Sequence, residues 1–162
     1  MGYELKPRRH GSKILIAAPD EKPCIFYGIN LQQWLDEVVT TIKKHTDREI
    51  VWREKASRGE RTNATIYDAL DDDVYALVTY NSIATVEAIQ YGIPAFSLAP
   101  TAASAVSSTD LSLIETPPRV SEDVIYKWLS SLAYGQFSLT EILTGKAWNL
   151  VQENEQRATF SY

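Results

Sequence analysis

A group of polar residues at positions 81–87 has the types and spacing needed to bind an anion and a polyol. Asn81 and Ser82 come directly after the apolar run Val74–Thr79. Thr85 and Glu87 follow on a helical pattern that is otherwise small or apolar. In a strand–turn–helix unit of this kind, backbone N–H groups near the turn can bind a phosphate, and hydroxyl groups can add donors. Glu87 can accept hydrogen bonds from the vicinal hydroxyls of a ribose. Helix capping and a surface carboxylate are the alternative interpretation of the same residues.

Short apolar runs alternate with helical patterns along the chain. Strands are predicted at 13–19, 49–53 and 74–79, and from 94 onward. A helix is predicted between each pair of strands, and two more follow the last strand, with Ser121 and Ser138 as their N-cap candidates. Residues 20–30 are predicted to form a loop that ends at the N-cap Asn30. This alternation predicts an α/β fold, a Rossmann-like three-layer domain whose parallel sheet has about four to five strands.

Further polar residues are expected at the same edge of the sheet. Arg53 ends the second predicted strand and Lys55 follows it, while Ser107 and Ser108 lie in a hydroxyl-rich loop after the fourth. Because the carboxyl ends of parallel strands meet at one edge, these side chains are predicted to lie beside the 81–87 turn and to contact phosphates. Surface charges and a flexible loop are the alternatives.

The bulk properties exclude several classes of protein. The chain has 162 residues, of which 44% are hydrophobic, and its net charge is −5. An acidic chain is unlike a general nucleic-acid or membrane-surface binder. No apolar run approaches the roughly 20 residues of a membrane span, and the N-terminus has no signal-peptide pattern. The single Cys24 fits a reducing compartment, so a cytoplasmic location is expected.

Several catalytic chemistries lack the residues that they need. Two His and one Cys offer little for a nucleophilic triad or a metal site, and no dinucleotide or Walker motif is present. The run 71–73 has Asp-x-Asp spacing, but it precedes a strand and is predicted to be a solvated turn at the opposite edge. We therefore expect neither a metal nor a cofactor. Phosphate and ribose contacts together suit a nucleoside diphosphate joined to a sugar, with the nucleotide sugar as substrate.

A set of motifs along the chain supports the same interpretation. The central one is Asn81-Ser82-x-x-x-x-Glu87-Ala88-x-x-x-Gly92-x-Pro94. The others are the Lys13–Ala18 strand with Phe26-Tyr27-Gly28, then Ile50-Val51-Trp52-Arg53-x-Lys55, Thr109-Asp110-Leu111-Ser112-x-Ile114-Glu115, and the segments 128–136 and 140–148. Together they resemble the C-terminal, donor-binding domain of GT-B-fold glycosyltransferases. They are nearest to the capsule-polysaccharide (Kps-like) transferases and their uncharacterised bacterial and phage relatives, and they cover most of residues 6–150.

This resemblance implies a division of the chain and a set of roles. Residues 1–150 would form a single nucleotide-sugar-binding domain, and residues 151–162 a polar tail. Donor binding would be metal-independent, with the phosphates at Asn81, Ser82 and the adjacent N–H groups. Glu87 would bind the ribose, while Arg53 and Lys55 would offset the charge of the leaving group.

The sequence also departs from the family pattern in two ways. Capsule transferases often carry a Pro-His pair after the Arg, and here the residues are Glu54-Lys55-Ala56. GT-B enzymes use two Rossmann-like domains, and the length of this chain suits one. An active transferase would therefore take its acceptor domain from a homodimer partner or a second chain. The alternatives are a non-catalytic nucleotide or nucleotide-sugar-binding module and an interaction protein that has lost the pocket.

Overall fold

The computed structural model describes residues 5–7, 10–53, 65–71 and 73–159 of the chain. The chain divides into two compact units, Met1–Val124 and Ile125–Tyr162. The first unit contains a β-sheet with helices, and the second is helical where it is described. No helix among the described residues is long and apolar enough to cross a membrane.

Four parallel strands form the sheet of the first unit. They are β1 (Lys13–Ala17), β2 (Glu49–Arg53), β3 (Val74–Thr79) and β4 (Ala95–Ser97). Their order across the sheet is β2-β1-β3-β4, and every neighbouring pair is parallel. Because parallel strands must be joined by crossovers, helices cover both faces of the sheet. The architecture confirms the predicted α/β class and is consistent with a Rossmann-like three-layer fold.

Seven α-helices lie in the described part of the chain. They are α1 (Glu21–Tyr27), α2 (Leu31–Lys43), α3 (Ile66–Ala69), α4 (Ala84–Gln90), α5 (Glu122–Tyr134), α6 (Leu139–Leu143) and α7 (Lys146–Thr159). The predicted caps of two helices are confirmed. The Asn30 side chain accepts a hydrogen bond from the backbone N–H of Gln33, and Ser138 and Glu141 form a capping box.

The two faces of the sheet are covered by different helices. On one face, Ile14, Ile16 and Val78 pack with Trp34 and the rest of the buried stripe of α2. Because side chains alternate along a strand, Thr79 points to the opposite face. There its hydroxyl lies 3.0 Å from that of Thr85 on α4, so α4 covers that second face.

Two expectations about the helices are wrong. Residues 20–30 do not form a loop throughout, because helix α1 occupies Glu21–Tyr27. Pro23 is tolerated in its first turn, and Gly28 ends the helix in a left-handed conformation, at φ 65°. The helical pattern after Ser138 is also divided in two, since Gly145 (φ 77°) separates α6 from α7. α7 then continues through Thr159, so the described part of the expected polar tail is helical. The proposed boundary at residue 150 stays a prediction.

Charged residues connect the elements at the amino edge of the sheet. The Arg48 guanidinium donates to both carboxylate oxygens of Glu115, at 2.8 and 3.1 Å, and to the carbonyl of Gly11 at 3.1 Å. It also lies over the ring of Tyr75, 3.7 Å from its centroid. Thr46 donates a further hydrogen bond to Glu115. These contacts join the turn before β2 to the segment after β4.

Asp71 and Asp73 also lie at the amino edge, as the sequence predicts for this acidic run. The carboxylate of Asp73 accepts hydrogen bonds from the backbone N–H and the hydroxyl of Ser12. It also pairs with the Lys13 ammonium at 3.2 Å. These hydrogen bonds lower the pKa of Asp73, and the charge of Lys13 adds to the effect. Asp73 therefore anchors the start of β1, and Asp72 lies outside the described residues.

Gly92 allows the chain between α4 and β4 to pass close to the N-terminal segment. It has a φ of 72°, and a Cβ atom placed on it would lie 2.3 Å from the carbonyl oxygen of Pro7. Nearby, the N–H of Lys6 donates to the carbonyl of Gln90 at 3.2 Å. The close approach and the left-handed backbone both require glycine at this position.

Candidate functional site

The order of the strands places a topological switch point at the carboxyl edge of the sheet. The chain leaves β1 toward β2 on one side and later returns to place β3 on the other side of β1. The connections after β1 and β3 therefore diverge to opposite faces, which is the topological switch point where open α/β sheets bind ligands. Two segments lie at this point: the turn 80–83 after β3, and α1 after β1.

The backbone of the turn after β3 is held on both sides by hydrogen bonds. The carbonyl of Tyr80 accepts from the buried Ser97 hydroxyl at 3.1 Å and from the Ala99 N–H at 2.8 Å. The carbonyl of Ser82 accepts from the N–H of Thr85 at 3.1 Å and from its hydroxyl at 2.8 Å. A turn fixed in this way keeps its outward-facing groups in place before a ligand arrives.

Three consecutive backbone donors of this turn are left without a protein acceptor among the described residues. They are the N–H groups of Asn81, Ser82 and Ile83. The hydroxyl of Ser82 accepts from the N–H of Ala84 at 3.2 Å, so Ser82 also has the capping role that was its alternative interpretation. Asn81 and Ser82 are half-buried, and Ile83 is 64% exposed. These three donors could therefore bind a ligand at the carboxyl edge.

Thr85 differs from its neighbours because its side chain is fully buried. Its hydroxyl donates to the Ser82 carbonyl and so accepts from the Thr79 hydroxyl, which is also fully buried. This arrangement holds the turn onto α4 and directs no donor of the Thr85 side chain toward solvent. A direct contact between Thr85 and a ligand stays a prediction that the geometry does not favour.

Glu87 lies at the same edge in a partly desolvated position. Burial raises its pKa above the ordinary value, while the charge of Arg53 and a hydrogen bond with Tyr67 act in the opposite direction. Tyr67 stands on α3, and its ring also packs against Tyr91, with 4.9 Å between centroids. Tyr67 could not be recognised from the sequence, because its contact with Glu87 joins two helices that are distant along the chain.

Arg53 ends β2 on the face of the sheet that α3 and α4 cover. Ile50 packs on the α2 face, and the alternation along the strand places Arg53 on the other. The charge of Arg53 opposes the rise that burial causes in the pKa of Glu87. It also contributes to the lowered pKa of Asp68, for which hydrogen bonds from Thr65 are the larger cause. Arg53 thus interacts electrostatically with Glu87, and the phosphate contact assigned to Arg53 stays a prediction. Lys55 lies outside the described residues.

Ser107 and Ser108 lie farther from the turn. Ser108 forms an isolated parallel bridge with Phe96, and its carbonyl accepts from the N–H of Ser97 at 2.9 Å. Its hydroxyl accepts from the N–H of Asp110 at 3.0 Å. The two serines therefore flank β4 on the side away from β3, and the phosphate contacts assigned to them stay a prediction.

An aromatic group that sequence reasoning did not assign lies on the other side of the turn. The ring of Tyr80 contacts those of Tyr27 and Trp34, at centroid distances of 5.6 and 6.3 Å, and Phe26 lies 4.8 Å from Tyr27. Phe26 is 79% exposed and Tyr27 is 51% exposed. The residues could have been recognised only by reading 21–27 as a helix, because a loop gives no defined face.

The chain is therefore an α/β protein with a four-stranded parallel sheet, which has a topological switch point at its carboxyl edge. In the described part of the chain, no three His, Cys, Asp or Glu side chains are grouped to hold a metal ion. Comparison with protein-family models, with curated proteins and with solved structures finds no match to this chain. The fold class therefore rests on the sheet and its helices, and no family is assigned.

Proposed function

We propose that this chain binds a nucleoside diphosphate, or the corresponding nucleotide sugar, at the carboxyl edge of its sheet. The observation that carries the proposal is a juxtaposition at the switch point. The turn 81–83 presents three N–H donors there, and Glu87 and Arg53 lie on one adjoining face. Donors and a cation suit phosphates, and a fixed carboxylate suits vicinal hydroxyls.

The order of groups in the ligand fits the order of groups in the site. The phosphates would accept hydrogen bonds from the N–H groups of Asn81, Ser82 and Ile83. The ribose would then lie on the α4 side, where Glu87 accepts hydrogen bonds from its 2′ and 3′ hydroxyls. The hydrogen bond from Tyr67 would hold the Glu87 carboxyl in place, and Arg53 would add a positive charge on the Glu87 side of the ligand.

Glycosyl transfer is the activity that we propose for a completed cleft. In that reaction an acceptor hydroxyl attacks the anomeric carbon, and the bond from that carbon to the β-phosphate oxygen breaks. The turn N–H groups and Arg53 would stabilise the charge that develops on the departing diphosphate. Glu87 is assigned to the ribose, so the base that takes the acceptor proton would come from a dimer partner or a second chain.

Calorimetric titration with UDP, GDP and CDP and with their hexose conjugates tests the proposal. Wild type should bind at least one of these pairs. Glu87→Gln should weaken binding of that diphosphate about tenfold, which equals the loss of about 1.4 kcal/mol expected for a charged hydrogen bond. Glu49→Gln is the matched control, because it removes the same charge at the opposite edge and should leave the affinity unchanged.

A deoxy ligand makes the assignment of Glu87 specific. The 2′-deoxynucleoside diphosphate should bind wild type more weakly than the parent does, whereas Glu87→Gln should not distinguish the two. No binding of any nucleotide would refute the proposal, and so would Glu87→Gln and Asn81→Ala variants that both bind like wild type. Binding without hydrolysis or transfer, with candidate partners present, would identify a non-catalytic module instead.

A further inference from the structure

The exposed aromatic surface of α1 is not used by any contact proposed above. Phe26 and Tyr27 end this helix with their rings in edge-to-face contact, and Ile25 beside them is also exposed. Tyr27 is held in turn by Tyr80, which Trp34 supports from the core. Solvent-exposed rings that are braced from below provide a preformed apolar surface rather than a collapsed cluster.

This surface adjoins the candidate phosphate turn on the side opposite to Glu87. Tyr80 packs toward the α2 face of the sheet and immediately precedes Asn81. Glu87 belongs to α4, which covers the other face. The turn 81–83 therefore lies between an acidic, hydrogen-bonding side and an aromatic side.

We infer that Phe26 and Tyr27 form the subsite for the sugar of a nucleotide sugar, an inference that rests on the proposed function. In such a ligand the diphosphate separates the ribose from the sugar. If the ribose lies at Glu87 and the phosphates at the turn, the sugar is directed toward α1. The C–H face of a pyranose carries partial positive charge and packs against the negative face of an aromatic ring.

The surroundings of the rings favour a sugar over a protein partner. Helix α1 also carries the exposed charged side chains of Glu21 and Lys22, of which Lys22 lies one turn before Phe26, and Asn81 lies next to Tyr80. These groups match the hydroxyls of a sugar. The centre of a protein interface is instead depleted of charged residues.

Truncation of Phe26 tests the subsite with little risk to folding, because the ring is mostly exposed. Calorimetry would compare UDP with UDP-glucose, GDP with GDP-mannose and CDP with CDP-glucose. Phe26→Ala should weaken binding of the sugar conjugate about tenfold and leave the affinity for the free diphosphate unchanged. Tyr134→Ala is the matched control, since it removes an aromatic ring that is 87% exposed in the second unit, and it should change neither affinity.

The possible outcomes distinguish failure of this inference from failure of the proposed nucleotide-binding function. If Phe26→Ala weakens both ligands of a pair equally, the rings contact the base or the phosphates, and the sugar subsite is refuted. If wild type binds the diphosphate and Phe26→Ala changes neither affinity, the subsite alone is refuted. If Phe26→Ala leaves both affinities unchanged but lowers the molar mass measured by light scattering, α1 contacts a second copy of the chain and the sugar subsite is refuted. If the wild type binds no nucleotide at all, the proposed function and the sugar subsite are both refuted.

Discussion

Replacement of Thr85 by valine should destabilise the protein more than the same replacement of its partner Thr79. The carbonyl of Ser82 can only accept, so the Thr85 hydroxyl must donate to it, and the Thr79 hydroxyl must donate to Thr85. These two hydrogen bonds lie beneath α4, where both threonines are fully buried. Valine has nearly the shape of threonine and a similar helix propensity, so the change removes the hydroxyl and little else.

The two single variants leave different groups unpaired. In Thr85→Val the buried Thr79 hydroxyl loses its acceptor, which costs about 1–3 kcal/mol, while the Ser82 carbonyl keeps the N–H of residue 85. In Thr79→Val the Thr85 hydroxyl keeps its donation to Ser82, so the loss is one ordinary hydrogen bond, about 1 kcal/mol. The double variant leaves no orphaned hydroxyl and should be no less stable than Thr85→Val.

Urea unfolding followed by far-ultraviolet circular dichroism would measure these free energies. Thr41→Val is the control, because the Thr41 hydroxyl bonds the Glu37 carbonyl at an exposed position and its loss should change stability by less than about 0.5 kcal/mol. The reasoning fails if Thr85→Val costs no more than Thr79→Val. It also fails if the losses of the two single variants simply add in the double variant.

Three further variants test other contacts. Tyr67→Phe should raise the pKa of Glu87 further, because the hydrogen bond that favours the charged form is lost, and a ¹³C NMR titration of the carboxyl would measure the shift. Gly92→Ala should cost more than Gly28→Ala, since both positions have positive φ but only at Gly92 would the Cβ collide with backbone; thermal unfolding of both variants would test this. Glu115→Gln should reduce stability at pH 7 by about 1 kcal/mol or less. In the wild type, the Arg48 guanidinium lowers the folded-state pKa of the Glu115 carboxyl. The stabilisation is therefore present above about pH 4.3, the unfolded value, and is lost as pH falls toward the folded value. The variant should therefore show a smaller acid-induced loss of stability, measured by urea unfolding between neutral and acidic pH.

Strand positions could be predicted from the sequence because they depend on local composition. The run Val74–Thr79 is apolar throughout and is buried at every position. Strand order was beyond such reasoning, because pairing of β1 with β3 depends on distant segments. Helix α1 was missed because Pro23 and Gly28 resemble loop residues, although each has an allowed place in a helix, the first turn and the C-cap.

The candidate site was only partly predictable for a similar reason. The turn at Asn81 and the position of Arg53 at the carboxyl end of β2 follow from strand ends meeting at one edge. The burial of Thr85 does not follow from its being near the turn, but it was accessible from helical periodicity, because Thr85 shares the sheet-facing side of α4 with Ala84 and Ala88. Prediction of the aromatic surface would have required knowledge of helix α1 and of the register of β3.

The central position of β1 in the sheet has a consequence for how the protein is made. Of the four described strands, β1 leaves the ribosome before its partners β2 and β3. Lys13 can therefore pair with Glu49 and Val74 only after those segments have been synthesised. Until then the run Ile14–Ala17 has two unpaired edges and apolar side chains on both faces. Non-local parallel pairing of this kind is slow and leaves strands open to aggregation. Translation at a reduced rate or with a chaperone present should therefore increase the soluble yield.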